Sequence, residues 1–243
     1  MKLRSVLPLF LMSLAGANAA VSVTGSVQLI SGETDVSTEG TLVLAHSYTG
    51  LIGGSLPPNP VVNGVTFTSI SSTAGATGAA LTGYANSNGT VYNSSTAATT
   101  AAPDGGAYDA LIQGAFSNSG GTATTLSLSN LLTNQSHLAQ IWIHDARAMA
   151  VNRQTTFSGV DEVLGTVTLG TVDYNSTNLV NGTGQFINVY FTTGAAETTF
   201  TISGVANDSN ARQINAFQLR AIPEPQSALL GAIGILSLLR RRR

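Results

Sequence analysis

Turn-forming dipeptides interrupt this chain at short intervals: Asn63-Gly64, Asn88-Gly89, Asp104-Gly105, Gly120-Gly121 and Asn181-Gly182. These steps tolerate the positive φ that tight connections require. The runs between them are short and rich in Thr, Val, Ile, Ser and Gly, and several alternate apolar with polar residues. That is the pattern of strands, and no long helical periodicity appears between residues 20 and 221. The sequence therefore predicts an all-β fold, built as a single antiparallel β-sandwich over residues 20–221.

The predicted strands are Val21–Ile30, Thr41–His46, Val61–Ile70, Thr90–Tyr92, Thr122–Ser129, His137–Asp145, Val163–Leu169, Gln185–Thr193, Glu197–Ser203 and Ile214–Ala221. Tyr108–Phe116 reads as a short helix or a bridging strand. Ser71–Ala80, Asn93–Ala102 and Gly50–Pro60 are low in complexity and read as loops over one end of the sandwich. In His137–Asp145, Ala139, Ile141 and Ile143 share one face, and Gln140, Trp142 and His144 share the other. In Gln185–Phe191, Ile187, Val189 and Phe191 oppose Phe186, Asn188 and Tyr190. The aliphatic faces of both strands should meet in the core.

Charge narrows the function. From Ala20 to Ile222 the body holds four arginines and eleven acids, a formal charge of 4 − 11 = −7, with no lysine. Such a surface repels phosphates, so nucleic-acid binding is excluded. Cysteine is absent, which removes thiol catalysis, thiolate metal sites and disulfide staples.

The two ends differ from the body. Lys2 and Arg4, an apolar stretch from Val6 to Ala15, and the small-x-small step Ala17-Asn18-Ala19 read as a secretory signal cleaved after Ala19. At the other end, residues 222–243 run Pro223-Glu224-Pro225, an apolar segment Gln226 to Leu239, then Arg240, Arg241, Arg242 and Arg243. An apolar helix ending in arginines reads as a membrane segment whose guanidinium groups stay on the cytoplasmic side. Fourteen residues at a rise of about 1.5 Å span roughly 21 Å, short of the roughly 30 Å hydrocarbon core. That length suits transient embedding better than a permanent tail anchor.

This tripartite tail resembles the PEP-CTERM sorting signal of Gram-negative bacteria. The resemblance implies export by the Sec machinery and tethering to the inner membrane. It further implies cleavage near Pro223-Glu224-Pro225 by a membrane-embedded cysteine transpeptidase, the exosortase, and release to the cell surface or exopolysaccharide matrix. Leu126-Ser127-Leu128-Ser129-Asn130-Leu131-Leu132 followed by Leu138-Ala139-Gln140-Ile141-Trp142-Ile143-His144-Asp145-Ala146-Arg147, and the closing Ile214-Asn215-Ala216-Phe217-Gln218-Leu219-Arg220, resemble envelope sandwiches with a galactose-binding-like jelly roll, which implies jelly-roll connectivity and no particular activity.

Candidate chemistry in the body is sparse. The polar-aromatic face of Gln140, Trp142 and His144 could stack a sugar ring, or could be packed beneath a second layer with the indole N–H satisfied. Asp145, Arg147 and Arg153 suggest a bidentate carboxylate–guanidinium pair pinning a loop. His46, His137 and His144 lack metal spacing, and no metal site is expected from them. Glu33, Asp35 and Glu39, or Asp161-Glu162, are the positions where calcium would bind if it bound at all, but neither has the register of a calcium loop. No nucleophile elbow, phosphate loop or zinc helix occurs, and the body is expected to be non-enzymatic; the alternative is a glycan-active enzyme, whose two carboxylates about 5 to 9 Å apart leave no fixed spacing in a sequence.

Overall fold

The computed structural model describes residues 22–48, 55–71, 77–84, 86–88, 106–118, 123–145, 153–176, 182–207 and 212–223. The signal positions Ala17 and Ala19, the predicted strand Thr90–Tyr92, Arg147, and the tail from Glu224 through Pro225 to Arg240–Arg243 lie outside them.

The fold is all-β. Its first strands are β1 (Val23–Leu29), β2 (Thr41–Tyr48), β3 (Val61–Val62), β4 (Val65–Thr66), β5 (Thr68–Ile70), β6 (Ala79–Thr82) and β7 (Asn86–Asn88). One helix, α1 (Ala107–Ile112), follows. Then come β8 (Ala115–Asn118), β9 (Thr124–Ser129), β10 (Ser136–Ile143), β11 (Gln154–Asp161) and β12 (Gly165–Asp173). The last are β13 (Gln185–Thr192), β14 (Thr199–Ala206), β15 (Arg212–Ile214) and β16 (Ala216–Ile222). A six-stranded sheet runs β1-β13-β10-β16-β2-β5 and a five-stranded sheet runs β12-β11-β14-β9-β6. A small sheet, β15-β8-β7, and the hairpin β3-β4 complete the described strands.

The two large sheets enclose one core. Ala139, Ile141 and Ile143 on β10 and Ile187, Val189 and Phe191 on β13 point into it, as the alternation predicted. Leu126, Leu128, Phe157, Leu169, Phe200 and Ile202 meet them from the facing sheet. Phe191 and Phe200 stack across the layers, with centroids 4.1 Å apart and planes 11° apart.

Three expectations change. Val61–Ile70 is not one strand: Asn63 (φ 47°) and Gly64 (φ 76°) make the tight turn of the β3–β4 hairpin. The residues beyond it, β5, pair parallel with β2, so the sheet is not purely antiparallel. Ile214–Ala221 is broken at Asn215 into β15 and β16, which belong to different sheets. Strand β11 was not predicted. Its inward positions are Thr155, Phe157, Gly159 and Asp161, all buried but with a single large apolar side chain, so little alternation shows.

Candidate functional site

The outer face of the six-stranded sheet carries Gln140 and Trp142 of β10, and cross-strand register divides it into bands. Trp142 lies opposite Phe186 on β13 and Ala216 on β16. Gln140 lies opposite Asn188 and Gln218, and Leu138 lies between Tyr190 and Arg220. Residues directly opposite share a face, so three rows lie side by side.

The first row is a second hydrophobic core. Val36, Val62, Val65 and Phe67 pack on Trp142, Phe186 and Ala216 together with Tyr108, Leu111 and Ile112 of α1. The indole is edge-on to Phe67 at 5.8 Å and stacked on Phe186 at 5.9 Å. Its Nε1–H donates to Tyr108 Oη at 2.9 Å. Trp142 is 0% exposed.

The second row is an amide ladder closed by a strap, the chain between β1 and β2. Gln140 Oε1 accepts from the Ser37 N–H at 2.8 Å. Gln140 Nε2 donates to the Asp35 carbonyl at 3.0 Å and to Asn188 Oδ1 at 2.7 Å. Gln218 Nε2 donates to the Ser37 carbonyl at 3.1 Å and also to Gln140 Oε1. Beside this row, one Arg220 guanidinium serves three successive carbonyls: Nη2 donates to Thr38 and Gly40 at 3.1 and 3.0 Å, and Nε donates to Glu39.

The proposed sugar platform of Gln140, Trp142 and His144 is therefore corrected. The helix and hairpin bury the indole, the strap consumes the amides, and His144 lies past the strand end in a buried polar knot. That knot centres on Asn215, which is fully buried. Its Nδ2 donates to the carbonyls of Ile112, Gly114 and His144 at 2.8, 2.9 and 3.1 Å, and its Oδ1 accepts from the His144 N–H at 2.8 Å. Burial pushes the His144 imidazole down to about 4, against the pull of the Asp145 carboxylate.

The remaining candidates disperse. Asp145 does find a guanidinium, with Arg153 Nη1 3.9 Å from Oδ2, and between these two groups the contact is long. His46 is edge-on to Phe217, and His137 stacks on Phe191 at 5.0 Å. Among the described residues no group of three His, Asp or Glu stands close enough to hold a metal. Asp35 instead accepts the N–H groups of Ser31 and Gly32 at 2.6 and 3.0 Å and the Tyr108 hydroxyl at 3.2 Å. Asp161 Oδ1 accepts the N–H groups of Val163 and Leu164 at 2.8 and 2.9 Å, and these donors hold its carboxyl below the usual range.

The third row is open only at its β1–β13 end, since Leu138 and Arg220 are buried. Tyr190, 42% exposed, is the one exposed aromatic residue among the described residues, and Thr24 lies opposite it. A hollow of about 250 Å³ beside it is lined by Ser22, Thr24, Ser136, Thr192 and Ile222. Sequence reading placed Tyr190 on the right face but missed it as a site, because nothing local tells an exposed position on that face from a covered one. A second groove, of about 320 Å³ and lined by Glu162, Glu197, Thr199, Phe200 and Thr201, lies at one end of the other sheet. No helix among the described residues is long and apolar enough to cross a membrane.

No family model matches the chain, and no curated protein matches it. Among solved structures, 66% of the chain aligns with a family GH115 4-O-methyl-α-glucuronidase with specificity for decorated arabinogalactans, at 13% identity and a TM-score of 0.31. The alignment spans 20% of that enzyme's length. A family 16 carbohydrate binding module aligns over 51% of this chain and 79% of its own, at 16% identity and a TM-score of 0.25. Overlaps this low carry no argument.

Proposed function

We propose that this is an exported, non-enzymatic β-sandwich protein with jelly-roll-like connectivity, delivered by its C-terminal segment to an exosortase. On this reading the chain is threaded out by the Sec machinery and held at the inner membrane by Gln226–Leu239, with Arg240–Arg243 on the cytoplasmic side. Cleavage near Pro223-Glu224-Pro225 then passes it to the cell surface or the exopolysaccharide. The observation that carries the reading is the order of tripeptide, apolar run and arginine cluster in residues 223–243.

The way the body ends supports it. β16 is an interior strand, paired with β10 through Ile222 and with β2 through Ala221. Gln135 Nε2 donates to the Ile222 carbonyl, and Pro223 follows, exposed and without an N–H to extend the ladder. The tripeptide thus begins where the sheet stops. Mass spectrometry of the mature protein from an exosortase-competent host should find a C-terminus close to Pro223–Pro225. A mature chain still ending in Arg243 overturns the processing.

The exposed Tyr190 end of the third row favours a second reading, attachment to a neutral glycan. The Tyr190 ring offers a plane for the C–H face of a pyranose, and the hydroxyls of Ser22, Thr24, Ser136 and Thr192 stand around the hollow beside it. Pull-down on extracellular polysaccharide should weaken with Tyr190→Ala and hold with Trp142→Phe. Binding indifferent to Tyr190 removes the idea.

A further inference from the structure

We infer that the end of the sandwich from which the chain leaves toward its tail is a lipid-facing surface, resting on a neutral bilayer while the tail is embedded. The inference depends on the proposed membrane role of residues 226–239 and adds an orientation and a contact surface to it.

Strand register gathers the relevant residues at one end. Thr41 pairs with Ala221, and Ser136 pairs with both Thr192 and Ile222, so these ends of β2, β16, β10 and β13 coincide. In the facing sheet, Asp161 pairs with Gly165 and Thr199 with Ser129, at the corresponding ends of β11, β12, β14 and β9. Eleven large apolar side chains are exposed among the described residues. Six of them belong to this end: Leu42, Val43, Leu132, Val160, Val163 and Leu164. They include the three most exposed, Val163 at 78%, Leu164 at 74% and Leu132 at 65%. Isolated exposed aliphatic residues are ordinary, whereas a concentration at one end is the mark of a contact surface.

The local structure holds these side chains outward. Asp161 clamps the N–H groups of both Val163 and Leu164, which fixes the β11–β12 tip. The Leu132 carbonyl accepts from Thr193 Oγ1 at 2.6 Å. Val43 and Leu132 line a groove of about 560 Å³ whose rim includes Ala221 and the exit residue Pro223.

Covalent reach supplies the occupant. Only Glu224 and Pro225 separate Pro223 from Gln226. At no more than about 3.6 Å per residue, the apolar run begins within about 11 Å of Pro223. A bilayer that holds this run lies against the end of the sandwich from which it departs. The charged residues there favour neutral lipid: Glu39, Asp161, Glu162 and Glu197 are acidic, and the nearby Arg220 is spent on the strap carbonyls.

The absence of cysteine makes a direct test simple. The full chain bearing an environment-sensitive fluorophore at Leu132→Cys, Val163→Cys, Leu236→Cys or Val205→Cys, the last at the opposite end of β14, is reconstituted in phosphatidylcholine vesicles. Labels at 132, 163 and 236 should be quenched by doxyl-lipid severalfold more than the label at 205, which should respond to aqueous iodide. Replacing half of the lipid with phosphatidylglycerol should weaken lipid quenching at 132 and 163. If 236 is lipid-quenched while 132 and 163 behave like 205, the surface contact is wrong and the tail reading survives. Shielding of 132 and 163 from both quenchers would assign the surface to a second copy of the chain and overturn the inference. If 236 is quenched by iodide alone, the membrane reading of the tail fails and takes the inference with it.

Discussion

The indole Nε1–H of Trp142 donates to Tyr108 Oη at 2.9 Å, and the Tyr108 hydroxyl donates onward to Asp35 Oδ2 at 3.2 Å. A strand of the main sheet, the covering helix and the strap are joined through one phenol. Tyr108→Phe keeps the ring and deletes the relay, leaving a buried indole N–H without an acceptor. The cost should be about 1–3 kcal/mol. Urea unfolding followed by the fluorescence of Trp142 measures it, and an unchanged midpoint would remove the relay from the account.

Arg220 offers a sharper comparison. Its guanidinium reaches the carbonyls of Thr38, Glu39 and Gly40 at once, a fork that an ammonium group does not reproduce. Arg220→Lys keeps the charge and should still lose about 1–3 kcal/mol. Hydrogen exchange should accelerate at the Ser37 amide, which the strap presents to Gln140. Uniform acceleration throughout the sheet would show that the strap does not open as a unit.

The contrast between β10 and its cover shows what sequence could reveal. Ala139, Ile141 and Ile143 announced an inner face, because burial against a facing sheet leaves a period of two. The opposite face mixes Gln140 with Trp142, a composition equally suited to water, sugar or a packed layer. Its true environment is set by residues 30–40, 60–67 and 107–112, all distant in sequence. The available clue was the apolar content of the covering segments: Val62, Val65, Phe67, Leu111 and Ile112 all join the second cluster around Trp142. Arg220 gave no local signal, since its partners are backbone carbonyls of a Ser-Thr-Glu-Gly stretch.

Where β1 crosses β12, Gly25 leaves no room for a side chain. A Cβ added there would overlap the carbonyl oxygen of Leu169, which is backbone and has nowhere to move. Gly25→Ala should cost more than the control below, about 3 kcal/mol through overpacking at this seam. Gly165 is the control, since its φ of +74° charges alanine only for backbone strain and nothing lies within 4 Å of an added Cβ. Gly165→Ala should cost roughly 1–2 kcal/mol by that strain alone. Paired thermal melts test the reading: equal losses would mean that the contact with Leu169 relaxes at little cost.

Acid should loosen the fold before the carboxylates titrate. Burial lowers the folded-state value of His144 from 6.5 to about 4, and burial also lowers His46 and His137. The unfolded chain therefore binds these protons more tightly than the native one. Stability from His144 is complete above about 6.5 and declines as pH falls toward about 4. The full effect is on the order of 3 kcal/mol at 1.36 kcal/mol per pH unit. Asp161, held ionised by the N–H groups of Leu164 and Val163, acts in the same direction at still lower pH. Urea midpoints at pH 7 and pH 4.5 should differ, and His144→Gln should shrink that difference whatever it does to stability at pH 7. An unchanged pH slope in His144→Gln would mean that the imidazole is protonated as readily inside the fold as outside it.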